Sequence, residues 1–193
     1  MGWGAVRHAP RPARRQSHAG GKVTPDFAET EVGGPASGRW PARMTPSPAN
    51  VLIHLVFSTR DHTPCLEAAW RPVLHGYLAG TARGLGCDCA RVGGWADHVH
   101  VAIRLPRALS IGTLVEELKA SSARWLSRGR PGLAGFAWQR GYAAFSVAPA
   151  EFASLLAYID EQEELHRTRT FQDEYRDFLG RYALAYDEHS VWD

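Results

Sequence analysis

The sequence lacks the long apolar runs that mark membrane proteins and secreted precursors. No apolar stretch approaches the roughly 18 residues that a transmembrane helix needs. Basic residues near the N-terminus are not followed by the apolar segment of a signal peptide. The 193 residues, 45% of them hydrophobic, suffice for one globular domain with a sizeable core. We therefore expect a cytoplasmic protein without a membrane partner.

Cysteine is also scarce, and its spacing excludes two classes of small domain. The chain has three cysteines, which is an odd number, and Cys87 and Cys89 flank a single residue. That arrangement matches neither a disulfide framework nor the usual paired ligands of zinc. We expect reduced thiols.

A strong charge of one sign is missing as well. The formal net charge is only +2, too small by itself to indicate a nucleic-acid-binding domain. The charge is uneven, however, since residues 160–193 hold ten acidic and four basic side chains. Because an acidic end repels phosphates, we expect any nucleic-acid surface to lie before residue 160.

Residues 1–43 differ in composition from the rest of the chain. They contain clusters of proline and glycine, hold seven of the 22 basic residues and show no helical or strand periodicity. Such composition is typical of a disordered segment. Two interpretations remain: Met44 is the true start codon, which we favour, or the segment is a basic tail that contacts nucleic acid. We therefore divide the chain into this segment and a domain of residues 44–193.

The remaining periodicities predict an alternation of strands and helices. Their order is strand, helix, strand, strand, helix, strand, followed by further helices, and it is the split β-α-β plan of ferredoxin-like folds. The fold class is thus α+β, an antiparallel sheet with helices on one face and an added C-terminal helix that carries Tyr158. The predicted strands are 50–58, 87–92, 98–105 and one within 136–147, with a turn at 93–94; the predicted helices are 66–83, 110–126, one from 149 and 171–183.

Two histidines provide the first chemical signal. His98 and His100 stand two apart on a predicted strand, so both imidazoles point to one face and can hold one metal ion. Alone, this pattern is a weak signal, and two partly buried structural histidines explain it better.

A tyrosine and a glutamine provide the second signal. Tyr158 and Gln162 are four residues apart on a predicted helix, so they are neighbours on one helical face. A phenol, with an ordinary pKa of about 10, attacks a phosphate poorly at neutral pH unless that phosphate is polarised. A metal held by two imidazoles has open positions for the Gln162 oxygen and a phosphate oxygen. Without a further signal, a packed tyrosine and a solvated glutamine explain the same spacing.

Several segments in register resemble the single-tyrosine HUH transposases, the small insertion-sequence transposases and their REP-associated relatives. The resemblance covers roughly residues 48–193. It is carried by the segments HLVFSTR (54–60), ADHVHV (96–101), LVEELKASS (114–122), FAWQRGY (136–142), FSV (145–147), YIDEQ (158–162), EELH (163–166) and RTFQ (169–172).

The resemblance implies an activity and the residues that perform it. His98, His100 and Gln162 would be the metal ligands, with Mg²⁺ or Mn²⁺ as the ion, and Tyr158 the nucleophile. It implies a single-stranded DNA endonuclease and strand transferase that forms a 5′-phosphotyrosine at hairpin-flanked sites during DNA transposition. It also implies a homodimer, with the active site formed within one chain or between two, and no nucleotide cofactor.

Four basic residues are candidate DNA contacts, because they lie in the net-positive part of the domain. Basic residues on amphipathic helices usually belong to solvated faces, however. The four are Arg60, Lys119, Arg124 and Arg140.

Two other functions remain open at this point. One is a non-cleaving module that binds hairpin DNA or RNA and derives from a transposase. The other is a metal-dependent hydrolase that uses water in place of Tyr158 and forms no covalent adduct. The intact set of four site residues favours the transposase.

Overall fold

The structure is a computed structural model that describes residues 48–188 and 191–192. The prediction about residues 1–43 and the start at Met44 lies outside the described residues and stays a prediction. None of the described helices is long and apolar enough to cross a membrane.

A four-stranded antiparallel sheet forms the centre of the described part. Its spatial order is β2-β3-β1-β4, so the two strands that share most pairs, β1 and β3, are central. This order confirms the ferredoxin-like plan. The strands are β1 (Val51–Ser58), β2 (Asp88–Gly94), β3 (His98–Leu105) and β4 (Ala143–Ser146).

Helices cover both faces of this sheet. Two long helices cross one face, and three shorter C-terminal helices lie on the other side. The long helices are α1 (Arg71–Gly84) and α2 (Ile111–Gly129), and the short ones are α3 (Phe152–Asp160), α4 (Gln162–Leu165) and α5 (Phe171–Arg181).

The alternation of side chains divides β1 and β3 between two clusters. Leu55 and Val101 belong to the main aliphatic core with α1 and α2. The neighbouring Val56 belongs to a second cluster with Phe171 and Phe178 of α5, on the opposite side. The face that carries His98 and His100 is therefore covered by the C-terminal part of the same chain.

Local sequence sets where the helices begin. Ser110 caps α2 by accepting a hydrogen bond from the Thr113 N–H, and Thr170 caps α5 by accepting one from the Asp173 N–H. The first helix begins at Arg71, with Pro72 in its first turn, later than the predicted residue 66.

The predicted turn at Gly93 and Gly94 is wrong, because both residues end β2 and the chain turns at 95–97. Gly93 has a packing role there. A Cβ at this position would lie 2.5 Å from Cγ2 and 2.7 Å from the carbonyl oxygen of Ile159. Because Gly93 has no side chain, α3 can pack closely against the sheet. This close packing places Tyr158, the neighbour of Ile159, above the histidines.

The predicted helix after Pro149 is interrupted. A short 3-10 turn, Pro149–Glu151, precedes α3, and Glu161 separates α3 from α4. The Glu161 N–H still bonds to the Ala157 carbonyl at 3.1 Å, so the chain keeps nearly helical geometry across the break. Tyr158 and Gln162 therefore remain neighbours, although they lie on two elements.

Candidate active site

His98 and His100 lie on the central strand β3, and neither side chain is exposed. Both Nε2 atoms face Glu174 of α5: His98 Nε2 lies 3.4 Å from Oε2, and His100 Nε2 lies 3.4 Å from Oε1. The ligand atoms of these three residues all lie within 4.8 Å of one another. Two imidazoles of β3 and a carboxylate of α5, which are about 75 residues apart in the sequence, therefore meet at one point on this face of the sheet.

Glu174 is a buried carboxylate, only 1% exposed. Burial alone would raise its pKa, but the neighbouring imidazoles of His100 and His166 outweigh burial and hold the pKa well below its usual range. Its Oε1 accepts hydrogen bonds from the Tyr158 hydroxyl and from Gln162 Nε2. Its Oε2 has no hydrogen-bond partner. An anionic oxygen is therefore available inside the site.

Tyr158 lies at the edge of the same cluster. Its ring centroid is 5.9 Å from that of His100 and its hydroxyl donates to Glu174. Burial and the negative charge of Glu174 raise the pKa of the phenol. Tyr158 is thus a neutral, oriented hydroxyl in this structure, and it lies beside the histidines of its own chain.

Gln162 begins α4 and is 1% exposed. Its Oε1 lies 3.1 Å from His98 Nε2 and 3.1 Å from His166 Nε2, while its amide nitrogen donates to Glu174. The structure therefore brings together all four residues singled out by sequence: His98, His100, Tyr158 and Gln162.

Two further side chains orient the histidines. Asp97 Oδ1 lies 2.6 Å from His98 Nδ1, an arrangement that keeps a proton on Nδ1 and leaves the Nε2 lone pair directed into the site. His54 of β1 plays the matching part for His100, with His54 Nε2 2.9 Å from His100 Nδ1. Burial lowers the pKa of both His54 and His100, so both rings are neutral. A neutral ring is required of His100 as a metal ligand.

The donor set fits a divalent cation. His100 Nε2 and Glu174 Oε2 are buried without hydrogen-bond partners, which is costly unless something else satisfies them. The lone pairs of His98 Nε2, Gln162 Oε1 and Glu174 Oε2 also converge, at separations of 3.1 and 3.4 Å. Adjacent ligands of an octahedral ion with bonds of about 2.1 Å lie about 3 Å apart, close to these values. Two imidazoles with carboxylate and amide oxygens suit manganese, and the oxygens also suit magnesium.

His166 is an additional imidazole at this site. Its Nε2 lies 3.3 Å from Glu174 Oε2, and its Nδ1 lies 2.9 Å from the Arg169 carbonyl oxygen. Burial alone would lower its pKa, but these two contacts raise it on balance. His166 therefore places a group that readily carries a proton next to the carboxylate.

A cavity of about 400 Å³ opens beside the cluster. Tyr158 and Glu174 lie in its wall, together with Arg169 and Arg181. Arg169 forms an ion pair with Asp177, whereas no ion pair of the described residues includes Arg181. The tyrosine is accordingly reachable from a space with basic groups on its border.

The predicted DNA contacts are spread over the surface, with one exception. Arg60, Arg124 and Arg140 are exposed. Lys119 instead donates from Nζ to the carbonyl oxygens of Gln139 at 2.8 Å and Arg140 at 3.2 Å, and also to Gly141. Lys119 thus holds the loop before β4 in place.

Sequence reasoning missed Glu174, and a signal for it existed. Phe171, Tyr175 and Phe178 define the apolar face of α5, and Glu174 falls on that face at helical spacing. A carboxylate on an apolar face needs a buried partner. His54 and His166 carry no such signal, because their contacts depend on strand pairing and on the chain reversal after α4.

Comparison with known proteins adds independent support for the fold and family. The model of the family "Transposase IS200 like" matches residues 47–162, a range that contains His98, His100, Tyr158 and Gln162. No curated protein shows a significant match.

Two solved structures are similar. One is described as a candidate transposase from Deinococcus radiodurans R1; it has 22% identity and a TM-score of 0.50, and the match covers 62% of this chain and 96% of that one. The other is a REP-associated tyrosine transposase bound to a REP hairpin; it has 14% identity and a TM-score of 0.48, and the match covers 60% of this chain and 68% of that one. The first likeness shows a shared fold.

The family match ends at Gln162, so Glu174 and His166 lie beyond it. The match nonetheless spans more than half of the 193 residues and includes both β3 histidines and the tyrosine helix. The chain belongs to the IS200-like transposase family.

Proposed function

We propose that this protein cuts and rejoins single-stranded DNA at hairpin-flanked sites, with Tyr158 as the nucleophile and a 5′-phosphotyrosine as the intermediate. One observation carries the proposal: the Tyr158 hydroxyl shares the buried carboxylate of Glu174 with the Nε2 atoms of His98 and His100. Membership of a transposase family supports the DNA substrate.

His98, His100 and Gln162 would hold the divalent ion, with Glu174 Oε2 as an additional oxygen ligand. When bound, Mg²⁺ or Mn²⁺ supplies a Lewis acid that polarises a phosphate oxygen. Asp97 and His54 keep the two imidazoles in the tautomers that direct Nε2 inward. The residues of this chain therefore prepare the site before DNA arrives.

Glu174 orients the nucleophile by accepting the hydrogen bond from Tyr158. As the bond between the phenolic oxygen and phosphorus forms, the bond from phosphorus to the 3′ oxygen breaks. The phenolic proton is released to water and the departing 3′ oxygen takes up a proton from water, so that no net proton is gained or lost, while Glu174 serves only to orient the hydroxyl. The products are a 5′-phosphotyrosine and a free 3′ hydroxyl, and attack by another 3′ hydroxyl reverses the step and joins two strands.

We propose that the site forms within one chain, because the Tyr158 ring lies 5.9 Å from the ring of His100 of the same chain. We propose that DNA reaches Tyr158 through the cavity that Arg169 and Arg181 border. Because Arg169 is paired with Asp177 and two further carboxylates line the cavity, Arg181, which no ion pair of the described residues includes, is the group that would attract phosphate. A homodimer remains part of the proposal.

The test is a denaturing gel after incubation with labelled single-stranded DNA from candidate element ends and Mn²⁺ or Mg²⁺. We expect a protein–DNA adduct with the wild type and with Tyr175→Phe, a half-buried tyrosine of α5 that serves as the matched control. Tyr158→Phe is expected to give no adduct. Binding without adduct or cleavage under either metal would favour the non-cleaving module, and cleavage that survives Tyr158→Phe would favour a water-using hydrolase.

A further inference from the structure

A second, smaller cavity of about 220 Å³ lies on the other side of Gln162. The first turn of α1, the end of β2 and the junction of α3 and α4 enclose it. Its lining includes Arg71, His75, Gly93, Ile159 and Gln162. The tyrosine mechanism uses only one of these side chains.

Arg71 is a buried cation without a carboxylate partner. It is 8% exposed, its Nε has no hydrogen-bond partner, and none of the ion pairs of the described residues includes it. Its guanidinium instead lies over the Trp95 ring, 4.3 Å from the centroid. Since a buried, unpaired charge is strongly unfavourable, this geometry indicates that an anion completes the site.

The other polar groups at this cavity do not neutralise the Arg71 guanidinium. Asp160 is held by Arg91 at 3.1 Å, and Glu163 is exposed. His75 Nε2 is a second buried nitrogen without a partner, and burial and the charge of Arg71 lower the pKa of His75 to about 4, so this ring is neutral and can donate one hydrogen bond. The cavity thus offers a guanidinium and an imidazole to one acceptor.

Gln162 lies between this cavity and the candidate active site. Gln162 lines the cavity, and its Oε1 faces His98 at 3.1 Å. Trp95 contacts Arg71 and also stacks with His166, with ring centroids 6.3 Å apart. An anion at Arg71 would therefore lie one side-chain layer from the metal ligands.

We propose that Arg71 binds a backbone phosphate of the DNA strand next to the phosphate that Tyr158 attacks. This inference rests on the proposed function, because it assigns the anion to the same strand. A guanidinium held over an indole ring presents a fork of N–H groups that matches two phosphate oxygens. The contact would fix the register of the strand relative to Tyr158.

The test is a scan with neutral methylphosphonates, one linkage at a time, along a hairpin oligonucleotide with a single-stranded tail. Binding is measured with Mn²⁺-loaded Tyr158→Phe protein, so that cleavage does not interfere. Besides the effect at the linkage that Tyr158 attacks, we expect one neighbouring linkage to weaken binding by roughly tenfold or more, as for a lost charged hydrogen bond. That penalty should disappear in Arg71→Gln and persist in Arg91→Gln, an exposed arginine at the same rim.

Each result decides the proposal. A wild-type scan without a sensitive linkage next to the one that Tyr158 attacks, or a penalty at that neighbouring linkage that persists in Arg71→Gln, would overturn it. A merely structural role of Arg71 would lower binding of all oligonucleotides equally. If Arg71→Gln does not fold, Arg71→Lys replaces it, and a penalty reduced in size at the same linkage supports the contact, whereas an undiminished penalty contradicts it.

The linkage scan and the adduct assay together distinguish a failure of this inference from a failure of the proposed function. A sensitive linkage that depends on Arg71, without any adduct in the wild type, would retain the phosphate site and reject the tyrosine chemistry. An adduct on Tyr158 without a sensitive neighbouring linkage would reject only the phosphate site. Absence of oligonucleotide binding would reject both.

Discussion

The two faces of the sheet differ in how completely their side chains are satisfied. On the face covered by α1 and α2, residues such as Leu55 and Val101 form an aliphatic core. On the opposite face, His54, His100 and Glu174 form a buried polar network in which His100 Nε2 and Glu174 Oε2 lack partners. Adjacent residues of one strand therefore serve different purposes, stability on one face and chemistry on the other.

The difference shows why the second face needs its own covering. Each unsatisfied buried polar atom lowers the free energy of unfolding by about 1–3 kcal/mol. Burial of side chains on the aliphatic face must offset this loss. The C-terminal helices exclude water from the network and contribute Glu174 directly. Changes on one face should consequently alter stability, and changes on the other should alter metal binding.

The largest expected effect is on the aliphatic face. Leu55→Ala removes a fully buried side chain and is expected to lower the free energy of unfolding by about 2–5 kcal/mol. Urea denaturation measures this change, with Val51→Ala, 45% exposed on the same strand, as the control of small effect. An altered Mn²⁺ affinity of the folded Leu55→Ala protein would contradict the division between the faces.

The second effect is on the polar face. Glu174→Gln removes the anionic oxygen between the imidazoles and is expected to weaken Mn²⁺ binding by about 100-fold, the upper end for groups around a metal. Titration calorimetry measures the affinity without reference to activity. The control is Glu161→Gln, an exposed glutamate between α3 and α4. Equal Mn²⁺ affinities of the two variants would show that Glu174 does not belong to the metal site.

A third change tests the residue adjacent to Leu55. His54→Phe fills the space among Phe145 and Phe178 but removes the partner of His100 Nδ1, and we expect Mn²⁺ affinity to fall by about tenfold. His54→Gln, which offers an acceptor, should recover part of the loss. A variant that loses stability but keeps its Mn²⁺ affinity would assign His54 to packing.

The smallest effect concerns a titrating group near the aliphatic face. Burial lowers the pKa of Lys119 to about 8 from 10.5. Between these values the unfolded chain binds a proton that the folded chain has lost, so wild-type stability should rise with pH relative to Lys119→Met. Urea denaturation at both ends of this range measures the difference. A relative fall with pH would show that the charged ammonium is required by the loop carbonyls.

Much of the fold could be predicted because it depends on local patterns. Ser110 marked the start of α2, and the order of strands and helices was sufficient for the split β-α-β plan. The prediction of a turn at Gly93 was wrong because glycine is used both in turns and where two backbone segments pack closely. Here it permits the close approach of Ile159, which is a tertiary contact without a local signature.

The candidate site was predicted in part for the same reason. His98 and His100 share a face by strand alternation, and Tyr158 and Gln162 are neighbours by helical spacing, so each pair is local. The position of Glu174 between them depends on the fold of 171–181 back over the sheet. The expectation that any nucleic-acid surface lies before residue 160 concerned phosphate contacts and stays a prediction; the charge count gave no indication that one carboxylate of 160–193, Glu174, is buried beside the histidines.

The central claim is that Tyr158 becomes covalently linked to DNA. The most direct measurement is mass spectrometry of proteolytic peptides after reaction with single-stranded DNA and Mn²⁺, followed by nuclease trimming of the DNA. The account predicts that the peptide containing Tyr158 carries a nucleotide through a phosphodiester on the phenolic oxygen. Cleaved DNA with an unmodified Tyr158 peptide, or a nucleotide on another residue, would contradict it.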